Sequence, residues 1–245
     1  MMQDSPVPPP DEQSPAHHEI LADGEIELLG QLANSSNETF LVEITHDDEQ
    51  CWAIYKPELG ERPLMDFEHG LYRRERATYL LSETLGWHIV PTTVVRDDGP
   101  FGIGSLQLFI DHDPAEHFFT MLEDKPETHD QLRRLAVFDL LINNADRKAG
   151  HVLYDSDGRL WGIDHGLCFA APLKLRTVIW DFADEEIDAE LLDDLEPLMD
   201  EVPESIEEQL SWRETSALQD RVRQLLFARH YPDDPTGMRF PWPLV

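Results

Sequence analysis

Lysine is scarce in this chain: four occur among 245 residues, at positions 56, 125, 148 and 174. Against 19 Lys and Arg stand 50 Asp and Glu, giving a formal net charge of -31. A surface this acidic repels nucleic acid and anionic lipid, because both are bound largely through Lys and Arg. No nucleic-acid partner is therefore expected, and the charge reads as a solubility device or the mark of a salty cytoplasm. Apolar runs of membrane-spanning length are also missing, which argues against integral membrane association. Cysteine is nearly absent, and Cys51 and Cys168 stand far apart without zinc spacing. A reducing, cytoplasmic setting is the simplest expectation. The N-terminal "MMQDSPVPPPDEQSPAHHEI" has neither the basic start nor the apolar core of a signal peptide. Its prolines and acids predict a disordered tail over residues 1–20.

Several motifs are missing as well. There is no G-x-S-x-G elbow, and "GPFGIG" opens no helical pattern, so it is not a dinucleotide fingerprint. "DSDG" at Asp155 to Gly158 lacks the remaining ligands of a calcium loop and reads as a hairpin turn.

What is present falls into an order. "EIELLGQL" and "TFLVEIT" read as strands joined by the polar "ANSSNE", and "CWAIYKP" is a third strand ended by Pro57. The stretch from Leu71 to Leu85 places Leu71, Ala77, Leu80, Leu81 and Leu85 on roughly one helical face, and Gly86 closes it. "HIVPTTVVRDDGPFGIGSLQLFI" gives two more strands around an Asp-Gly turn. "HDQLRRLAVFDLLINN" returns to helical period, with Leu132, Leu135, Ala136 and Leu140 among its apolar positions. A hairpin, "HVLYD" and "RLWGID", follows, and the sequence from Glu185 to Tyr231 reads as helices broken at Pro197 and Pro203. The order predicts an α+β protein with a small mixed lobe at 21–110 and a mostly helical lobe at 111–245.

Lys56 ends the third strand, where a half-buried ammonium needs an anionic partner. Glu75 on the following helix is one candidate and a nucleotide phosphate is another, while a lysine snorkelling from a strand end is the plainer reading. "ANSSNET" offers backbone N–H groups and the hydroxyls of Ser35 and Ser36, which can cradle phosphate oxygens. Asp146 follows an apolar helix and Asp164 ends the next hairpin. Phosphoryl transfer needs an acid near the acceptor hydroxyl, metal ligands for the phosphates, and a cation where charge develops. Asp146, Asp164 and Lys148 supply those types, and His151 adds a possible metal ligand. Solvated charges at a helix end and a hairpin are the alternative at this point.

These segments resemble the phosphatidylinositol 3-/4-kinase-like superfamily, particularly type II phosphatidylinositol 4-kinases and their bacterial relatives. "IYKP" is similar to the strand bearing the ATP lysine, Lys56. "RRERATYLLSETLGWHIVPTTVV" is similar to the helix carrying its ion-pair glutamate, Glu75. "GSLQLFI" is similar to the gate and hinge, where Gln107, Phe109 and Ile110 would meet the nucleotide. "NADRKAGH" is similar to the catalytic loop, with Asp146 as the catalytic acid, and "GIDHGLCF" to the metal-binding motif, with Asp164 as ligand. The resemblance spans about residues 28 to 170, in the family's order. It implies a two-lobed protein-kinase-like fold that uses ATP with Mg2+ or Mn2+.

Two departures shape the expectation. The family carries Asn five residues after the catalytic Asp, where this chain has His151. Mg2+ favours hard oxygen ligands, whereas imidazole suits softer ions, so Mn2+ tolerance or a single metal is expected. Lys148 stands where many protein kinases keep a phosphate-contacting lysine. With only Lys174 and Arg176 following Asp164 before Trp180, a protein or small-molecule acceptor is expected ahead of an inositol lipid. The alternatives are a nucleotide-binding pseudokinase acting as a regulatory module, a nucleotidyl transferase on the same fold, and a metal hydrolase using Asp146, His151, Asp164 and His165.

Overall fold

The computed structural model describes residues 15–32 and 37–245. Ser35 and Ser36 lie outside the described residues. The described residues divide into two compact units, one ending at residue 72 and resuming over 91–111, the other of residues 73–90 with 112–245.

In the first unit, helix α1 (Pro15–Asp23) covers part of the segment expected as a tail. It packs Ile20 and Leu21 on the sheet, and Arg96 caps its end by donating to the carbonyls of Leu21 and Gly24 at 3.1 and 3.0 Å. The strands are β1 (Glu25–Gln31), β2 (Phe40–His46) and β3 (Glu49–Pro57), then β4 (Thr93–Arg96) and β5 (Gly104–Leu108). They form one antiparallel sheet in the order β1-β2-β3-β5-β4. Strand period sets its inner face: Phe40, Val42 and Ile44 alternate inward on β2, as do Cys51, Ala53 and Tyr55 on β3. A β-bulge between Leu28 and Gly30 interrupts β1, which is a largely exposed edge strand.

Helix α2 (Leu71–Thr84) begins at the boundary, and all but its first two residues belong to the second unit. The rest is α3 (Phe118–Asp124), α4 (His129–Ile142), the hairpin β6 (Val152–Tyr154) and β7 (Leu160–Gly162), then α5 (Ala189–Leu195), α6 (Glu204–Glu207) and α7 (Trp212–Ala228). The expected helix at the centre is α4, but it is more buried than one apolar face requires. Val137, Phe138, Asp139 and Leu141 are all inside with Leu132 and Leu135. The continuous burial from Leu135 to Asp139 places this stretch of the helix in the core of its unit, while Asp130 in its first turn stays exposed. The carbonyl of Leu141, near its C-terminal end, accepts the Arg221 Nε–H of α7 at 2.7 Å, and burial pulls that guanidinium down to about 10. No helix among the described residues is long and apolar enough to cross a membrane.

Candidate active site

In the first unit, Lys56 sits near the end of β3 opposite Ser105, on the half-buried face with Trp52 and Ile54. Gln107 is buried on β5, and its amide donates to the Thr93 hydroxyl of β4 at 2.9 Å. Phe109 extends the pairing by donating its N–H to the Trp52 carbonyl at 2.9 Å, with the two rings edge-on at 6.1 Å. Ile110 is buried beside it.

In the second unit the site begins where α4 ends. Asn143 adopts the left-handed conformation (φ 52) at the C-cap, a position Asn tolerates. Its side chain donates to the carbonyls of Ala170 and Pro172 and accepts from the Lys174 N–H, pinning the segment after the metal motif. Asn144 donates to Asp139 at 3.0 Å and accepts the Asp146 N–H at 3.0 Å. The Asn144 amide therefore ties the main chain of the candidate catalytic acid to Asp139.

At the centre lies Arg147, with no exposed side-chain surface. Its Nε and Nη2 donate to the equally buried Asp139 at 2.9–3.0 Å. Nη1 donates to the carbonyls of His151 and Ile163 at 3.1 and 2.9 Å, and Nη2 also donates to His165 Nε2 at 2.8 Å. All five N–H groups of the guanidinium are thus used. Since a guanidinium only donates, His165 Nε2 accepts, and the ring is neutral with its proton on Nδ1. The His165 N–H in turn donates to the Glu75 carboxylate of α2 at 3.0 Å. Gly162 permits this packing, because a Cβ there would meet Leu135 at 3.0 Å and Arg147 Nη2 at 3.3 Å.

One side chain therefore holds both loops that the sequence singled out. On them, Lys148 Nζ is 3.0 Å from Asp146 Oδ2, and His151 Nε2 is 3.3 Å from Asp164 Oδ2. Burial raises the Asp146 carboxyl above its ordinary range; Lys148 opposes the rise and Asp164 adds to it. Asp164 is left-handed (φ 61) and its side chain is half exposed. The Lys148 N–H donates to His151 Nδ1 at 3.4 Å, which puts the imidazole proton on Nε2, facing Asp164. Coordination through Nε2 requires that proton to leave.

A metal ion finds two donors here, a carboxylate and an imidazole. No group of three or more His, Cys, Asp or Glu suited to a metal occurs among the described residues. The Asp164 carboxylate fits the Mg2+ mode in which one or two carboxylates share the ion with substrate phosphates, whereas the His151 imidazole suits a softer ion. Asp155, by contrast, spends its carboxylate on the N–H groups of Asp157 and Arg159 and the Trp161 indole, the work of a hairpin turn.

Sequence reasoning missed the roles of Asp139, Asn143, Asn144 and Arg147, and it weighed His165 only as a ligand of a metal hydrolase. The arginine next to the candidate acid carries no mark of burial in the sequence, and lysine scarcity drew attention to Lys148 in its place.

A family model described as phosphatidylinositol 3- and 4-kinase matches residues 70–218, more than half of the chain. Protein Rv2133c of Mycobacterium tuberculosis is 40% identical over 264 residues, covering 92% of this chain and 94% of that protein. Phosphatidylinositol 4-kinase gamma 4 of Oryza sativa subsp. japonica is 32% identical over 105 residues, which cover 38% of this chain and 17% of the plant protein. Among solved structures, hydra Fam20 with sugar has a TM-score of 0.58 at 13% identity, covering 86% of both chains. That likeness is one of fold, and the two-lobed protein-kinase-like architecture expected from the sequence is borne out.

Proposed function

We propose that this chain, which belongs to the phosphatidylinositol 3- and 4-kinase family, is an ATP-dependent phosphotransferase. The acceptor oxygen attacks the γ-phosphorus, the bond from that phosphorus to ADP breaks, and Asp146 takes the hydroxyl proton. The observation that carries the reading is the Arg147 guanidinium, which ties the carbonyls of His151 and Ile163 to one buried group. It fixes the loop of the acid against the loop of the metal ligand, as positioning-driven catalysis demands. A carboxyl raised by burial is also a better proton acceptor than an exposed one.

In this reading Lys56 and Glu75 position the α- and β-phosphates, and the hydroxyls of Ser35 and Ser36 are assigned to phosphate binding as well. Gln107, Phe109 and Ile110 flank the adenine. Asp164 and His151 hold Mg2+ or Mn2+, which supplies charge neutralisation at the phosphates. Lys148 leaves Asp146 for the γ-phosphate. The formal charge of -31 favours a protein or small-molecule hydroxyl over an inositol lipid, and the acidic surface fits a cytoplasmic protein.

The test is γ-labelled ATP with either metal, scoring hydrolysis, self-labelling and lipid labelling. Asp146→Asn and Asp164→Asn are each expected to lose about 100-fold or more. His151→Asn is expected to shift the metal preference towards Mg2+. Equal behaviour of the native chain and the two Asp variants removes the enzyme reading. Stabilisation by nucleotide without turnover then supports a regulatory switch, which His151's engaged ring nitrogens favour.

A further inference from the structure

We infer that the segment Arg239–Leu244 is a strap that positions the catalytic loop through main-chain bonds; its activity arm rests on the phosphotransfer reading. After α7 the chain turns at Asp234, whose carboxylate accepts the N–H groups of Thr236 and Arg239 at 3.1 and 2.8 Å. The Arg239 carbonyl then accepts twice, from the Thr177 N–H at 3.1 Å and the Trp180 indole at 3.2 Å. Phe240 lies against Trp180, ring centroids 6.5 Å apart, and Pro241 is buried. Five residues after Arg239, the Leu244 carbonyl accepts the Ala149 N–H at 2.7 Å.

Both contacts bear on the loop of Asp146. Ala149 is fully buried and opens the single 3-10 turn Ala149–His151, whose first N–H groups have no partner within the turn. The Leu244 carbonyl satisfies that donor and so fixes where the turn starts. Lys148 precedes this point and His151 ends the turn, so the bearing of both depends on it. Thr177 bonds Asp139 through its hydroxyl and is bridged to Arg147, so the Arg239 contact steadies the buried hub from the other side.

The side chains of the strap's last residues do little packing: Trp242 is 88% exposed, Leu244 37% and Val245 62%. A segment kept for its core contribution would bury them. Here the backbone makes the contact while the side chains face solvent, which suits a positioning role.

The experiment is hydrogen exchange at the Ala149 amide, with steady-state kinetics, in the full chain and in a chain shortened to end at Trp242. The shortening removes three exposed residues and no core side chain. Exchange at Ala149 is expected to rise about 100-fold. A fall in kcat of roughly tenfold is expected, with KM for ATP within about twofold. Leu244→Ala, which keeps the carbonyl, keeps Ala149 protected. Trp180→Phe removes one of the two bonds to the Arg239 carbonyl without shortening the chain, and is expected to speed Ala149 exchange by about threefold. Unchanged exchange in the shortened chain overturns the strap, and so does faster exchange with unchanged kcat. Should the native chain transfer no phosphate, the phosphotransfer reading falls and exchange alone decides: protection lost at Ala149 supports the strap, protection kept overturns it.

Discussion

Lys56 and Asp146 are held in position by different means. Lys56 rides on β3, where Cys51, Ala53 and Tyr55 alternate inward and Trp52 and Ile54 share the lysine's face. Many residues agree on that geometry, so no single one decides it. Asp146 sits on a loop with no repeating pattern, and its surroundings converge on one guanidinium bonded to Asp139, His151, Ile163 and His165. Positional information is spread out in the first unit and concentrated in the second.

Substitution sharpens that contrast. Arg147→Met leaves the Asp139 carboxylate buried without its counter-charge, and it also strands two carbonyls. Removing one partner of such a pair costs about 3–5 kcal/mol. Ile44→Val removes one methylene from the fully buried core of the sheet and costs about 1 kcal/mol. Chemical denaturation of the two variants, read beside the native chain, checks both. Equal losses would erase the distinction between spread and concentrated support.

The same contrast explains what was legible in the sequence. The five strands and the helix from Leu71 were readable because period and turn residues repeat the same message several times. The motifs around Asp146 and Asp164 were readable by resemblance, and both loops attach to Arg147. Arg147 itself was passed over, since nothing local in "ADRKAG" tells a buried arginine from an exposed one. Asn143 and Asn144 read as a helix end, and their work on Ala170, Pro172 and Asp146 is long-range or main-chain. Helix α3 has seven residues, too few to show a period. The strap is the extreme case, because every residue carries a carbonyl and the bond from Ala149 to Leu244 leaves no mark in side-chain identity.

A second substitution reaches the site from outside it. Arg74 of α2 pairs with Glu214 of α7 at 2.6 Å, both largely buried, while the other Glu214 oxygen closes the capping box on Ser211. One residue further along α2, Glu75 holds the His165 N–H. Arg74→Met is expected to cost about 2 kcal/mol, between the two values above. It should also raise exchange at the His165 amide. A stability loss with unchanged His165 exchange would show that α2 holds Glu75 without help from α7.

The smallest expected effect concerns Asp146 and has the opposite direction. Burial pushes this carboxyl up, Lys148 draws it down and Asp164 pushes it up again, with a net rise. The folded chain therefore holds the proton more tightly than the unfolded chain does. Stability from that preference is fully present below the unfolded value, near about 3.9, and is lost as pH rises through the raised folded value. At pH 7 the ionised carboxylate is a standing cost that an amide avoids. Asp146→Asn should melt about 1–2 °C above the native chain at neutral pH in metal-free buffer. The gap should close as pH falls towards about 3.9, where the native carboxyl is protonated as well. A variant that melts lower at pH 7 would mean that the Lys148 contact at 3.0 Å outweighs burial. If the substitution stabilises the fold while abolishing transfer, the loop keeps its acid at the expense of stability, as sites selected for reactivity do.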